Sequence, residues 1–292
     1  MRTNLDFSDW RSRCHSLGKL MTEPKAKSNK QKLIEAESKY SELTGKIEST
    51  VNKETKTYAN LIESRIKVRA EIEKLEPIQD VPNLSQTCIT KLSEIYTVET
   101  TGRTKDIKSR YLEKGLLMEE DAITAYCELT KQFLKKNKVE KENEYLTGTI
   151  DILENDFILD TKCCWDIFTF DAKAFKPLDQ DYYWQLQGYM FLWNKPSSKL
   201  IYSLQNTPVH LVEKERKRLL FDFCGSDEDW TDAENELKFL HNYDDLALER
   251  KNKIYEIKRD DEAIDRIKAR IIDCRYYLNN INNIKYEPDT ND

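Results

Sequence analysis

Asp151, Asp160 and Lys162 stand within twelve positions of one another near the middle of the sequence. Around them the chain reads Tyr145-Leu146-Thr147-Gly148-Thr149-Ile150-Asp151-Ile152-Leu153, then the polar Glu154-Asn155-Asp156, then Phe157-Ile158-Leu159-Asp160-Thr161-Lys162. Two apolar-rich runs about a three-residue polar turn predict a β-hairpin. Side chains alternate faces along a strand, so Asp160 and Lys162 point to one side and Leu159 and Thr161 to the other. Folding about Asn155 sets Asp151 opposite the region of Asp160, within cross-strand reach. Two carboxylates beside an ammonium suit Mg²⁺, which keeps several waters and binds one or two carboxylates plus phosphate oxygens of a substrate. The same residues, taken alone, also describe a solvated ion pair on a strand edge.

The elements around the hairpin narrow that choice. Upstream, residues 114–134 read as one helix with Leu116, Ile123, Tyr126 and Phe133 as its apolar stripe and Glu119 and Glu120 inside it. Downstream, a helix runs from Asp181 to Trp193, and its Gln185 and Tyr189 lie four apart on one face, opposite Tyr183, Leu186, Met190 and Trp193. Pro196 ends it, and residues 200–204 return as a strand. The order helix, strand, strand, helix, strand predicts an α/β core: a mixed central sheet flanked by helices.

Outside the core, residues 28–76 hold no Pro and one Gly, with Leu33, Tyr40, Ile47, Leu61, Val68 and Ile72 at loosely helical spacing. This predicts a long helical appendage, one helix or a hairpin bent near Gly45. Ser85 or Asn83 can cap a further helix carrying Leu84, Ile89, Leu92 and Ile95. After residue 209 the chain is mostly helical, broken at Cys224-Gly225-Ser226, with a short strand at 253–257, an amphipathic helix over 260–280 and a polar tail. Three parts are expected: residues 1–27, belonging to the catalytic domain; 28–80, a helical insertion or hairpin; and 81–292, the core with its C-terminal helices.

The chain is 292 residues long, 39% hydrophobic and 34% charged, with 7 Gly and 7 Pro, a composition of helix-rich globular proteins. The absence of a long apolar run and the polar start Met1-Arg2-Thr3-Asn4 lead to the expectation of a cytoplasmic protein. Seven cysteines without Cys-x-x-Cys spacing predict reduced thiols rather than a zinc or iron-sulfur site. His15, His210 and His241 show no metal spacing. A net charge of −6 argues against simple coating of nucleic acid, but two basic clusters exist. One is Arg103, Lys105, Lys108, Arg110 and Lys114; the other is Lys131, Lys135, Lys136, Lys138 and Lys141. Trp165, Phe168, Phe170 and Phe175 follow the hairpin and are read either as packing residues or as a stacking surface for a frayed DNA end.

Asp151 with Asp160-x-Lys162, followed by Gln185-x-x-x-Tyr189, resembles the PD-(D/E)XK nuclease superfamily, in its phage recombination exonuclease branch related to lambda exonuclease and the RecB nuclease domain. Gly115-Leu116-Leu117-Met118-Glu119 is similar to that branch's Gly-x-x-x-Glu helix, and Trp184-Gln185-Leu186-Gln187-Gly188-Tyr189 to its glutamine-tyrosine helix. The resemblance covers residues 108–204 well and 28–80 weakly. Asp160 stands where many relatives have Glu, and Ile150 where the superfamily has Pro.

The resemblance implies a restriction-endonuclease-like core and a Mg²⁺-dependent deoxyribonuclease, with Mn²⁺ as substitute: a 5′–3′ exonuclease on linear double-stranded DNA. It implies catalytic roles for Glu119, Asp151, Asp160, Lys162, Gln185 and Tyr189, and metal ligation by Glu119, Asp151, Asp160 and the Thr161 carbonyl. Arg13 and Ser16 would hold a terminal 5′ phosphate, and Arg103, Lys105, Lys108 and Lys114 the DNA backbone. It further implies a homo-oligomer, with a trimer as one form, working beside a single-strand annealing protein in phage recombination. An endonuclease or nickase of the same superfamily, and a catalytically silent DNA-binding scaffold, stay open as alternatives.

Overall fold

Strands are few and short in this chain, so helices must supply most of the packing surface. A computed structural model describes residues 5–105 and 109–281. Lys108, the first four residues and the polar tail from 282 lie outside them. The elements are β1 (Ser12–Arg13), α1 (Leu17–Leu20), α2 (Asn29–Ser49), α3 (Lys56–Leu75), α4 (Gln86–Thr101), α5 (Arg110–Leu117) and α6 (Glu119–Thr130). Then come β2 (Lys141–Glu142), β3 (Leu146–Gly148), β4 (Ile152–Leu153), β5 (Phe157–Cys163), α7 (Ile167–Ala174) and α8 (Gln180–Trp193). The chain continues through β6 (Ser197–Ser203), α9 (Val209–Asp222), α10 (Asp227–Leu240), β7 (Asn252–Lys258) and α11 (Asp261–Asn280).

The central sheet has the order β4-β5-β6-β7, antiparallel except for the parallel pair β5 and β6. It is the mixed sheet that the order of elements predicts. Its two faces bury alternate residues. Ile158, Leu200 and Tyr202 join Leu186 and Met190 of α8, Leu17 and Leu20 of α1, Leu92 of α4 and Ile267 and Ile271 of α11 in the large core. Ile152, Leu159 and Ile201 face the other way, against Ile123 and Tyr126 of α6. Burying each such aliphatic side chain contributes about 1.5–3 kcal/mol, so both helical layers are fixed to the strand that carries Asp160 and Lys162.

Three local expectations change. The run 145–153 is not one strand: β3 pairs with β1 and β2 in a separate small sheet, while β4 belongs to the central one. Gly148 ends β3 where a Cβ would fall 2.8 Å from the Tyr189 ring, and Asn137 holds the link by donating to the carbonyls of Asp151 (2.7 Å, backbone N–H) and Ile150 (3.1 Å, side chain). The run 114–134 breaks at Met118 and stops at Lys131, whose φ is +56°. Leu116 and Phe133 are therefore exposed rather than part of a stripe. Finally, α2 and α3 turn at residues 50–55, not at Gly45, because Thr55 caps α3 by accepting from Tyr58 N–H at 3.1 Å.

The α2–α3 hairpin packs on itself through Leu33, Ala36, Val68 and Ile72. Ser85 caps α4, and Gly102 in the left-handed region (φ +68°) ends it. No helix among the described residues is long and apolar enough to cross a membrane.

Candidate active site

β5 positions two of the expected residues outright. Its register sets Ile152 opposite Leu159, so Asp151 comes off the end of β4 beside Asp160. Asp160 and Lys162 lie on the face covered by α8, as strand alternation requires, and are in direct ion-pair contact. Gln185 Nε2 donates to Asp160 Oδ1 at 3.4 Å and lies 3.3 Å from the Tyr189 hydroxyl. All three of Asp160, Gln185 and Tyr189 are buried. The Tyr182 ring, one helical turn before Gln185, lies 5.5 Å from Lys162 Nζ.

Asp151 is held differently. Its Oδ2 accepts from the Thr161 backbone N–H (2.6 Å) and the Thr161 hydroxyl (2.8 Å). A residue in a strand directs its N–H and C=O to the same neighbour. Because the Thr161 N–H meets Asp151, the Thr161 carbonyl also faces the edge beyond the end of β4. Burial, then the charge of Asp160, pushes the Asp151 carboxyl up to about 6. Burial acts to lower Lys162, but the charge and contact of Asp160 outweigh it and hold the ammonium above its ordinary range.

These features fit a divalent cation. Asp160 Oδ2 is buried and in direct contact with the Lys162 ammonium. Two neighbouring carboxylates with the Thr161 carbonyl make a hard, open oxygen set of the kind Mg²⁺ accepts. Among the described residues no cluster of three carboxylate, imidazole or thiol groups forms a closed cage. Glu119, at the first turn of α6, is not drawn into the pair: its Oε1 meets Lys136 Nζ at 3.0 Å.

Neither a family profile nor a curated protein matches the sequence. Among solved structures the chain is similar to a phage-related exonuclease from Haemophilus somnus 129PT, at 24% identity over 94% of this chain and 95% of that one, with a TM-score of 0.59. The chain has the fold of that exonuclease. An alkaline exonuclease from Laribacter hongkongensis, LHK-Exo, is similar at 16% identity over 69% of this chain and 84% of that one, with a TM-score of 0.47. In complex with dAMP the same protein gives 16%, 66% and 80%, with a TM-score of 0.46.

The N-terminal segment reaches the same exonuclease-like core. A Cβ on Gly18 would lie 2.6 Å from Asp181 Cα, so α1 packs directly on the start of α8, where Lys19 pairs with Asp181 at 2.6 Å. His15 is held below its ordinary range by desolvation and then by the charges of Arg13, Lys91 and Lys162. Arg13 is exposed and Ser16 is buried.

The first basic cluster does not form one surface. Arg103 and Lys105 are exposed, Lys105 lying 3.3 Å from Glu94. Arg110 pairs with Glu215 and lies over the rings of Tyr111 and Trp165. Lys114, expected on the DNA, is fully buried: its Nζ donates to the Trp165 carbonyl (2.7 Å) and Thr207 Oγ1 (3.0 Å), and burial lowers it to about 8. It is a structural tie because α5 turns that side of the helix inward, onto the loops that follow β5 and β6. Trp165 and Phe170 are buried and Phe168 and Phe175 exposed. His241 meets Thr207 Oγ1 at 2.9 Å and His210 meets Glu113 at 3.0 Å.

Sequence reasoning missed two residues. Tyr182 was findable, standing i−3 from Gln185 and i−7 from Tyr189 on one helical face. Lys136 was visible only as one lysine in a basic run. Its place depends on an isolated bridge to Ile152 that no local pattern encodes.

Proposed function

We propose that the chain is a Mg²⁺-dependent deoxyribonuclease, acting as a 5′–3′ exonuclease on linear double-stranded DNA in phage-type recombination. The observation that carries this reading is Asp160, a buried carboxylate set between the Asp151 carboxylate and the Lys162 ammonium. The shared fold with a phage-related exonuclease supports it.

Asp151, Asp160 and the Thr161 carbonyl would hold Mg²⁺, with Mn²⁺ as substitute. When bound, the ion activates a water and neutralises charge on the phosphate. Thr161 aims the Asp151 carboxylate through its N–H and hydroxyl. Gln185 fixes the rotamer of Asp160, and Tyr189 fixes Gln185, the support from outside the ligand set that tunes metal centres. Lys162 orients the attacking water and stabilises the developing negative charge. Arg13 and Ser16 would hold a terminal 5′ phosphate. Arg103, Lys105 and Lys108 contact the DNA backbone. An oligomer, with a trimer as one form, and a single-strand annealing partner complete the reading.

The test compares linear duplexes bearing 5′-phosphate or 5′-hydroxyl ends with closed circular DNA, in Mg²⁺ and in EDTA. Mg²⁺-dependent loss of the 5′-phosphorylated linear duplex alone supports the proposal. Cutting of the circle replaces it with an endonuclease, and no cutting with Mg²⁺ or Mn²⁺ leaves a binding scaffold.

A further inference from the structure

Lys162 enters the centre on a flexible four-carbon stem, and a stem of that kind needs more than one restraint to keep its head in one place. The Asp160 carboxylate is one restraint. The other comes from α8. The ring of Tyr182, half-buried at the start of that helix, has its centroid 5.5 Å from Lys162 Nζ, and an aromatic face attracts an ammonium at that range. The ring is itself held from behind. It stands edge to face on Tyr202 at 5.9 Å, and Tyr202 is the register partner of Lys162 on β6. Tyr202 in turn packs edge to face on Tyr255 of β7 at 5.8 Å. The Tyr255 hydroxyl donates to the carbonyls of Lys173 (2.9 Å) and Lys176 (2.7 Å) around the end of α7. Three rings thus run from the lysine across the sheet to a fixed anchor. Lys173 Nζ also lies 6.0 Å from the Tyr182 centroid, but it is paired with Asp179 at 2.8 Å, and its side chain is 44% exposed against 27% for Lys162. The less solvated ammonium gains more from the ring.

We propose that Tyr182 is a positioning residue, whose ring face holds the Lys162 ammonium in the place from which it acts on the water and the phosphate. This rests on the nuclease reading of Asp151, Asp160 and Lys162. The two restraints on Lys162 differ in kind. Asp160 is also a metal ligand in that reading, so its charge is shared once a divalent ion binds, and the ion repels an ammonium a few ångströms away. The ring carries no charge to share, and its hold on Lys162 does not depend on what Asp160 binds. Because Tyr182 acts through Lys162, its contribution falls on turnover rather than on binding of the DNA.

The first measurement uses the full chain in EDTA, without DNA. In protein carrying lysine labelled with carbon-13 at Cε, the Lys162 methylene resonance is assigned by its loss in Lys162→Arg. It should be shifted upfield by the ring current in wild type, stay shifted in Tyr182→Phe, and move to the position of exposed lysines in Tyr182→Leu. The second measurement is steady-state hydrolysis of 5′-phosphorylated linear duplex with Mg²⁺. Tyr182→Leu should lose roughly 5–30-fold in kcat, the equivalent of one cation–π contact, with KM unchanged. Tyr182→Phe should recover most of that loss. Mn²⁺ affinity should be the same in Tyr182→Leu as in wild type, because Gln185 still holds Asp160. A wild-type kcat in Tyr182→Leu, a Phe variant as slow as the Leu variant, a loss confined to KM, or a fall in Mn²⁺ affinity overturns the proposal. Circular dichroism checks folding, and Tyr182→Met, which keeps bulk without a ring, carries the same expectations if the Leu variant does not fold. Wild type without Mg²⁺-dependent cleavage overturns the nuclease reading and this inference with it. Active wild type with an unshifted Lys162 resonance overturns this inference alone.

Discussion

The two sides of β5 hold their charged residues by opposite means. On the α8 side, Asp160, Gln185 and Tyr189 are buried and linked in series, and Lys162 lies against Asp160 and the Tyr182 ring. On the α6 side, Glu119 is held by one half-exposed ion pair with Lys136. Burial fixes geometry because a buried polar group cannot trade its partner for water. An ion pair near solvent is worth little in stability and exchanges readily. The α8 side therefore holds its charged residues in one fixed geometry, while the α6 side leaves Glu119 able to exchange its partner.

Breaking the buried side should have the largest effect. Lys162→Ala or Asp160→Ala should lower Mg²⁺-dependent turnover by at least about 100-fold with an unchanged fold. Next, Gln185→Ala should weaken metal binding by roughly 10–100-fold, read by Mn²⁺ titration, while Tyr189→Phe should cost less because Gln185 keeps its bond to Asp160. Unchanged Mn²⁺ affinity in Gln185→Ala would show that the α8 side does not position Asp160.

Asp151 gives a pH signature between the two sides. Its folded value of about 6 lies above the ordinary carboxylate value, so ionising it costs folding free energy. The cost is absent below about pH 4 and complete above about pH 6. In EDTA, Asp151→Asn should raise the thermal midpoint at pH 8, by on the order of 1–2 kcal/mol of stability, and leave it unchanged near pH 4. Asn Oδ1 still accepts from Thr161. Equal pH slopes for wild type and variant in differential scanning fluorimetry would contradict this, and Mg²⁺ should reduce the difference by screening the wild-type charge.

The smallest effects belong to the surface. Each of Arg103→Glu and Lys105→Glu should flatten the salt dependence of DNA binding by about one phosphate contact. Lys114→Ala should instead lose about 2–4 kcal/mol of stability with no change in salt slope, because that amine is buried on Trp165 and Thr207. A salt-slope change in Lys114→Ala would return it to the DNA surface.

Legibility in the sequence followed the range of the interaction. Strand alternation placed Asp160 and Lys162 on one face, and i, i+4 spacing placed Gln185 with Tyr189, since both periods are local. The mixed sheet and the capped helix from Ser85 were legible for the same reason. Lys114 and Lys136 were not: both sat in basic runs, and only the packing of α5 on the loops after β5 and β6, and the bridge to Ile152, separates one buried lysine and one paired lysine from their exposed neighbours. The split between β3 and β4 was hidden too, because Gly148 serves a contact with Tyr189 forty-one residues away.

The most direct test is release of acid-soluble nucleotide from 5′-phosphorylated linear duplex DNA by wild type and Lys162→Ala, with Mg²⁺ present or chelated. Rapid release by wild type only with Mg²⁺, and none above background from the folded variant, is the predicted result. Equal release by the two proteins, or release by wild type in EDTA, would contradict the assignment of the Asp151, Asp160 and Lys162 centre.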